Sequence, residues 1–189
     1  MRYVRAAEAA GLLREGKVGL VPTETVVGLV AGERGLSRLY EIKGRDHDKP
    51  IALLCGSAEE AFALSRKVPL LARFLADRFW PGPLTLVLDS TKGETVGVRV
   101  PAHAITRAML DQYGGPLYAT SANPSGEPAP RALEDADPSV RAAVDFAIDG
   151  EPGSGEASAV VDLSGGRIRL LRSTESLDQT TLSRLANPA

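Results

Sequence analysis

Lys43, Arg45 and Lys49 stand together in "KGRDHDKP" (43–50), interleaved with Asp46, His47 and Asp48 and stopped by Pro50. Cations at that spacing can hold a polyanion such as a phosphate chain. They can equally complement the C-terminal dipole of a preceding helix, or stand solvated. Two other stretches collect groups that could complete an anion site. "PTET" (22–25) sets Thr23, Glu24 and Thr25 in a tight connection between two apolar runs. "TSANPSGEP" (120–128) brings Thr120, Ser121, Asn123 and Ser125 directly after an apolar strand. Hydroxyls, an amide and backbone N–H groups there could surround an anion, although a solvated turn has the same composition. "FWPGPLTLVL" (79–88) fixes a rigid turn into a strand and reads as architecture.

Several other chemistries find no support. "GLLREGK" (11–17) approaches a phosphate-binding loop, but Val18 takes the place of Ser or Thr, and the motif precedes a strand instead of opening a helix. "GSGEAS" (153–158) fails as a dinucleotide fingerprint for the same reason of context. His47 and His103 have no ligand-like spacing to each other or to Cys55, so no zinc site is expected. Cys55 ends an apolar run and reads as a core residue. A Gly-x-Ser-x-Gly elbow is lacking.

The 189 residues are 43% hydrophobic and 24% charged, an ordinary globular composition. A net charge of −2 gives no overall basic footprint for nucleic acid, so any basic site must be local. The single cysteine excludes an intramolecular disulfide and fits a reducing, cytoplasmic setting. No apolar run approaches a membrane span of ~20 residues, and the N-terminal stretch lacks the apolar core of a secretory signal.

Periodicity places a helix over 6–15, strands at 18–22 and 26–32, a helix over 37–43 with Leu39 and Tyr40 inward, and a strand at 51–55. Ser57 caps a helix over 58–67, and Pro69 opens another that reaches Phe79. Strands follow at 84–88 and 95–100, a helix at 104–113, and an extended run at 116–120. Residues 121–138 form a long polar loop of the kind that carries function. Strands at 144–149, 158–163 and 167–172 close the set, the last two as a tight pair. A C-terminal helix is expected over 174–187, with Ser176 as N-cap and Gln179 at N3. The mixture predicts a single α/β (α+β) domain over 1–189 with a twisted, mixed parallel and antiparallel sheet flanked by helices.

Taken together and in this order, these stretches resemble the YrdC-type threonylcarbamoyl-AMP synthase family. The matching segments are "PTETVVGL" (22–29), "KGRDHDKPI" (43–51), "FWPGPLTLVL" (79–88), "VGVRVPAH" (96–103), "TSANPSG" (120–126), "SAVVDL" (158–163) and "LLR" (170–172). They span about residues 16–172. The resemblance implies a YrdC-like fold with a positively charged cavity and an ATP-dependent enzyme. That enzyme condenses L-threonine, bicarbonate or CO2, and ATP into threonylcarbamoyl-adenylate and pyrophosphate. Magnesium accompanies the ATP, and the product supplies the N6-threonylcarbamoyl group of adenosine 37 in transfer RNA. Transferring partner proteins, and a contact with transfer RNA or double-stranded RNA, belong to the same implication. So does a chain too short for the C-terminal domain of longer relatives.

Position by position, the resemblance assigns Lys43, Arg45, Ser121 and Asn123 to the nucleotide phosphates, with Lys43 and Arg45 acting electrostatically. It places Lys49, Thr95 and Arg172 at other ATP contacts. Thr25, Arg99, Ala119 (through its backbone) and Ser158 fall at threonine contacts, and Thr23 lines the same turn. A carbamate is already an oxygen nucleophile, so the chemistry asks for positioned cations more than for a strong base. The chain departs from the family pattern at Val27, Leu54, Ala129, Ala159 and Ser173. Two alternatives remain: an RNA-binding module, and a paralogue that adenylates another carbamate.

Overall fold

The computed structural model describes residues 1–186. Its strands, in chain order, are Arg2–Tyr3 (β1), Val18–Val21 (β2), Gly28–Ala31 (β3), Ala52–Leu54 (β4), Leu84–Asp89 (β5), Thr95–Arg99 (β6), Leu117–Ser121 (β7), Phe146–Ala147 (β8), Ala159–Asp162 (β9) and Arg169–Arg172 (β10). Its helices are Ala6–Arg14 (α1), Leu36–Lys43 (α2), Ala58–Ala63 (α3), Leu70–Phe79 (α4), Ala104–Tyr113 (α5), Pro138–Ala143 (α6) and Gln179–Ala186 (α7). None of the described helices is long and apolar enough to cross a membrane.

All these strands join one sheet in the order β1-β8-β2-β3-β7-β4-β6-β5-β9-β10. The pairs β2–β3, β3–β7, β4–β7, β5–β6 and β9–β10 are antiparallel, whereas β1–β8, β2–β8, β4–β6 and β5–β9 are parallel. The mixed sheet is therefore as expected. β2 and β3 are buried at every position, as continuous apolar runs should be when both faces of a sheet are covered. Close packing fixes composition at the centre: a Cβ on Gly19 would stand 2.2 Å from the Phe146 ring.

In the second half of the sheet, alternation separates two environments. Leu84, Leu86 and Leu88 of β5 pack with Val98, Ala159 and Val161 against Leu75 of α4 and Leu182 of α7. The alternate residues Thr85 and Val87 of β5, Gly97 and Arg99 of β6, and Val160 and Asp162 of β9 face a cavity on the opposite side. The period of two thus builds a core with one face and a site floor with the other.

Five local expectations need correction. The helix from Ser57 ends at Ala63, not residue 67, because Ser65 leaves it to bridge with Ser90. The strand expected over 144–149 shrinks to Phe146–Ala147. The loop expected over 121–138 ends one residue early, and Pro138–Ala143, otherwise without an expected element, is helical, with Asp137 capping the Ser139 N–H at 2.8 Å and Pro138 at the first helical position. β1 was not expected at all. The last helix begins at Gln179 with Asp178 accepting from the Thr181 N–H (2.7 Å), so Ser176 is not its N-cap. Ser176 instead pairs its hydroxyl with Thr174 in a turn closed by Thr174 and Leu177. Residue 187 of the expected helix lies outside the described residues.

Candidate active site

The cavity holds about 820 Å³ and opens over the C-terminal end of α2 and the centre of the sheet. Every residue proposed from the sequence lines it: Thr23, Thr25, Lys43, Arg45, Lys49, Thr95, Arg99, Ala119, Ser121, Asn123, Ser158 and Arg172. They come from separate stretches, and the fold gathers them.

The end near α2 is cationic. Helix α2 stops at Gly44, whose φ of +58° is the left-handed conformation that glycine adopts without strain. The Arg45 N–H then bonds the Tyr40 carbonyl at 3.1 Å, and His47 stacks on the Tyr40 ring with centroids 4.3 Å apart. Lys43 is buried and points away from its own helix carbonyls. Its ammonium donates to the Ser121 carbonyl (2.8 Å), the Ser121 hydroxyl (3.0 Å) and Asn123 Oδ1 (2.9 Å). The Ser125 N–H returns a bond to the Lys43 carbonyl at 2.9 Å. Burial, and secondly the Arg45 charge, pull the Lys43 ammonium down to about 8. Arg45 is half-buried and donates to the carbonyls of Lys49 (3.0 Å) and Pro50 (3.2 Å), bracing its own loop. Lys49 lies 3.6 Å from Asp46 at the rim.

The opposite end is built on the "PTET" connection. The Thr23 hydroxyl donates to the Val26 carbonyl at 2.6 Å and accepts from the N–H groups of Thr25 and Val26, both at 3.2 Å. The Thr23 and Thr25 hydroxyls lie 2.9 Å apart. The loop after β8 packs so tightly here that a Cβ on Gly153 would meet the Thr25 carbonyl at 2.3 Å. Arg99, from the end of β6, reaches across the floor. Its Nε donates to the Gly82 carbonyl (3.1 Å), and its Nη2 donates to Glu24 Oε1 (2.6 Å) and Thr25 Oγ1 (2.9 Å). The rigid "WPGP" turn therefore has a second use, since Gly82 anchors a site arginine. Burial raises the Glu24 carboxyl, but the charge and hydrogen bond of Arg99, with backbone N–H groups, outweigh it and leave the group below its ordinary value.

Arg172 enters from edge strand β10, where the register shifts between Leu170 and Arg172. This bulge lets Leu171 and Arg172 both line the cavity while Leu170 stays in the core. Arg172 donates to the Ser158 carbonyl (2.6 Å) and hydroxyl (3.2 Å), and the Ser158 hydroxyl lies 2.9 Å from that of Thr85. Burial, then the nearby charge of Arg99, hold the Arg172 guanidinium below its usual value.

Sequence reasoning missed Thr85 and the role of Glu24 beside Arg99. It also missed the pair of Asp162 and Arg169 (2.5 Å) in the cavity wall. A threonine alternating with core leucines in "LTLVL" was a readable signal for Thr85; the partner of Glu24 lies 75 residues away and left none. Among the departures, Leu54 and Ala129 line the cavity, whereas Val27 and Ala159 lie in hydrophobic cores. Cys55 is fully buried, and burial followed by the Glu60 charge pushes its thiol up to about 12, which favours the neutral thiol of a core residue at neutral pH.

Residues 11–174 match the family model Sua5_yciO_yrdC, described as "Telomere recombination". The chain belongs to the Sua5/YciO/YrdC family. It is 40% identical over 177 residues to a threonylcarbamoyl-AMP synthase of Pyrococcus abyssi, covering 87% of this chain and 52% of that protein. A putative threonylcarbamoyl-AMP synthase of Mycobacterium tuberculosis is 34% identical, with 87% and 81% covered. The crystal structure of Pyrococcus abyssi Sua5 complexed with L-threonine superposes with a TM-score of 0.83 at 38% identity, covering 88% of this chain and 53% of that one. The chain thus spans about half the length of the Pyrococcus abyssi protein.

Proposed function

We propose that the chain condenses L-threonine, bicarbonate or CO2, and ATP into threonylcarbamoyl-adenylate and pyrophosphate. The observation that carries this reading is one cavity with two unlike ends. Lys43, Ser121 and Asn123 form one, and Arg99, Thr25 and Ser158 the other. A volume of about 820 Å³ suits two small substrates held side by side. The names of the relatives and the threonine complex of the Pyrococcus abyssi protein support the same choice of substrates.

In this proposal the threonine carboxylate lies against Arg99 and Thr25. Its amine adds to CO2 and loses a proton, giving a carbamate. A carbamate oxygen then attacks the α-phosphate of ATP, and the bond to the pyrophosphate leaving group breaks. Arg45 and Lys49 neutralise the phosphates, Arg172 stands where the two substrates meet, and Lys43 holds Ser121 and Asn123 in place around the phosphates. Positioning and charge supply the acceleration, as is general for phosphoryl chemistry. Magnesium would enter with the ATP substrate, bound to its phosphates. The product would pass to proteins that modify transfer RNA.

The test is pyrophosphate release from ATP with magnesium. Release that needs both threonine and bicarbonate is expected. Equal release with neither co-substrate, or none under any condition, overturns the proposal.

A further inference from the structure

Glu24 does not itself line the cavity, yet it holds one of the cations that do. Its Oε1 accepts from Arg99 Nη2 at 2.6 Å, and its Oε2 accepts from the His103 N–H at 3.3 Å. Arg99 is only 8% exposed. A guanidinium has five N–H donors. The Nε–H goes to Gly82, and both Nη2 hydrogens go to Glu24 and Thr25. Nη1 has no hydrogen-bond partner among the described residues, so a single edge of the fork is left for a ligand.

Charge gives Glu24 a second consequence. Arg99 and Arg172 line the same cavity, and the charge of Arg99 opposes that of Arg172. With Glu24 ionised, the three groups sum to one positive charge, which matches a monocarboxylate. Without it, two adjacent guanidiniums would face the cavity uncompensated and compete with the Lys43 and Lys49 end for a polyphosphate.

We propose that Glu24 is a positioning residue: by pairing with Arg99 it presents one guanidinium edge to an amino-acid carboxylate and keeps that end of the cavity from capturing the nucleotide's phosphates. The inference rests on the synthase reading for the identity of the amino acid, but its electrostatic half does not.

Titration calorimetry on the full chain tests it, using threonine and inorganic tripolyphosphate as separate ligands and then in competition, with thermal melts alongside. Glu24→Gln should weaken threonine by about 10- to 100-fold. The same variant should bind tripolyphosphate roughly tenfold more tightly, and tripolyphosphate should displace threonine from it but not from wild type. Glu24→Asp keeps the charge with a shorter reach, so it should leave tripolyphosphate at the wild-type level and recover part of the threonine affinity. Wild-type affinities for both ligands in Glu24→Gln overturn the proposal, as does parallel loss of both. Should Glu24→Gln not fold, Glu24→Asp decides: unchanged threonine affinity, or tightened tripolyphosphate, overturns it. A wild-type chain that binds no threonine overturns the synthase reading instead, and the tripolyphosphate arm then decides the role of Glu24.

Discussion

The Lys43 ammonium sits 2.8 Å from the Ser121 carbonyl oxygen, and the Ser121 hydroxyl and Asn123 Oδ1 take its two remaining donors. A lysine whose three N–H groups are all engaged by the protein acts as a strut as well as a charge. The strut joins the C-terminus of α2 to the end of β7, two elements that share no strand pairing. Burial opposes the ammonium all the same, which is why it titrates at about 8. Removing that charge should therefore help the fold while harming the site. Lys43→Met, nearly isosteric and apolar, is expected to melt at or above the wild-type temperature and to lose polyphosphate affinity by about 10- to 100-fold. Calorimetric melts and an ATP titration check both halves; a large drop in melting temperature would show that the strut outweighs the desolvation.

The same ammonium sets a pH window. In the unfolded chain Lys43 titrates near 10.5, and in the folded chain near 8. Between those values the unfolded state binds more protons, so this group makes stability rise with pH. Below about 8 its penalty is fully present. Ligand affinity runs the other way, because a phosphate needs the ammonium. ATP affinity should fall as pH rises through about 8, with proton uptake on binding visible in buffers of different ionisation enthalpy. Lys43→Met should remove that uptake.

Arg45 differs from Lys43 because it is only half-buried and its bonds stay within its own loop. Arg45→Ala is expected to cost at most ~1 kcal/mol of stability. If the guanidinium reaches the phosphates, catalytic efficiency should fall by about 30- to 1,000-fold, with partial recovery in Arg45→Lys, which lacks the planar fork. Melting curves and steady-state pyrophosphate release separate the two effects. An early-melting variant with full turnover would make the loop purely structural.

What the sequence could reveal follows from the range of the forces involved. Local patterns placed β2, β3, β5, β6 and α5, where runs or alternation dominate, and Asp137–Pro138 carries a readable N-terminal signal for α6. β1, two residues long, exists only because it pairs with β8, so no local pattern announces it; the apolar run at 144–149 announces β8 but not that its pairing with β1 and β2 is confined to two residues. The same division holds for the site. Lys43, Arg45 and Asn123 could be named because clusters of charge and amide are visible in the chain. Whether Lys43 served its helix end or something else depended on Ser121, 78 residues away. The register shift that admits both Leu171 and Arg172 to the cavity is likewise a property of pairing with β9.

Thr85 tests the floor of the site. Its hydroxyl lies 2.9 Å from that of Ser158, and both residues are buried. Ser158 in turn holds Arg172 through its carbonyl and hydroxyl. Thr85→Val keeps the shape of the side chain and removes only the hydroxyl. The Ser158 hydroxyl then keeps Arg172 as its one hydrogen-bonding neighbour and is freed to turn. The cost to stability should be about 1 kcal/mol, the usual net worth of one such bond. The effect on function should fall on KM for threonine, since Ser158 lines the end where the amino acid is proposed to sit, with kcat less affected. Thr85→Ser, which restores the hydroxyl but not the methyl group, should recover the wild-type KM. A Thr85→Val variant with unchanged KM would show that the Thr85–Ser158 pair serves packing alone.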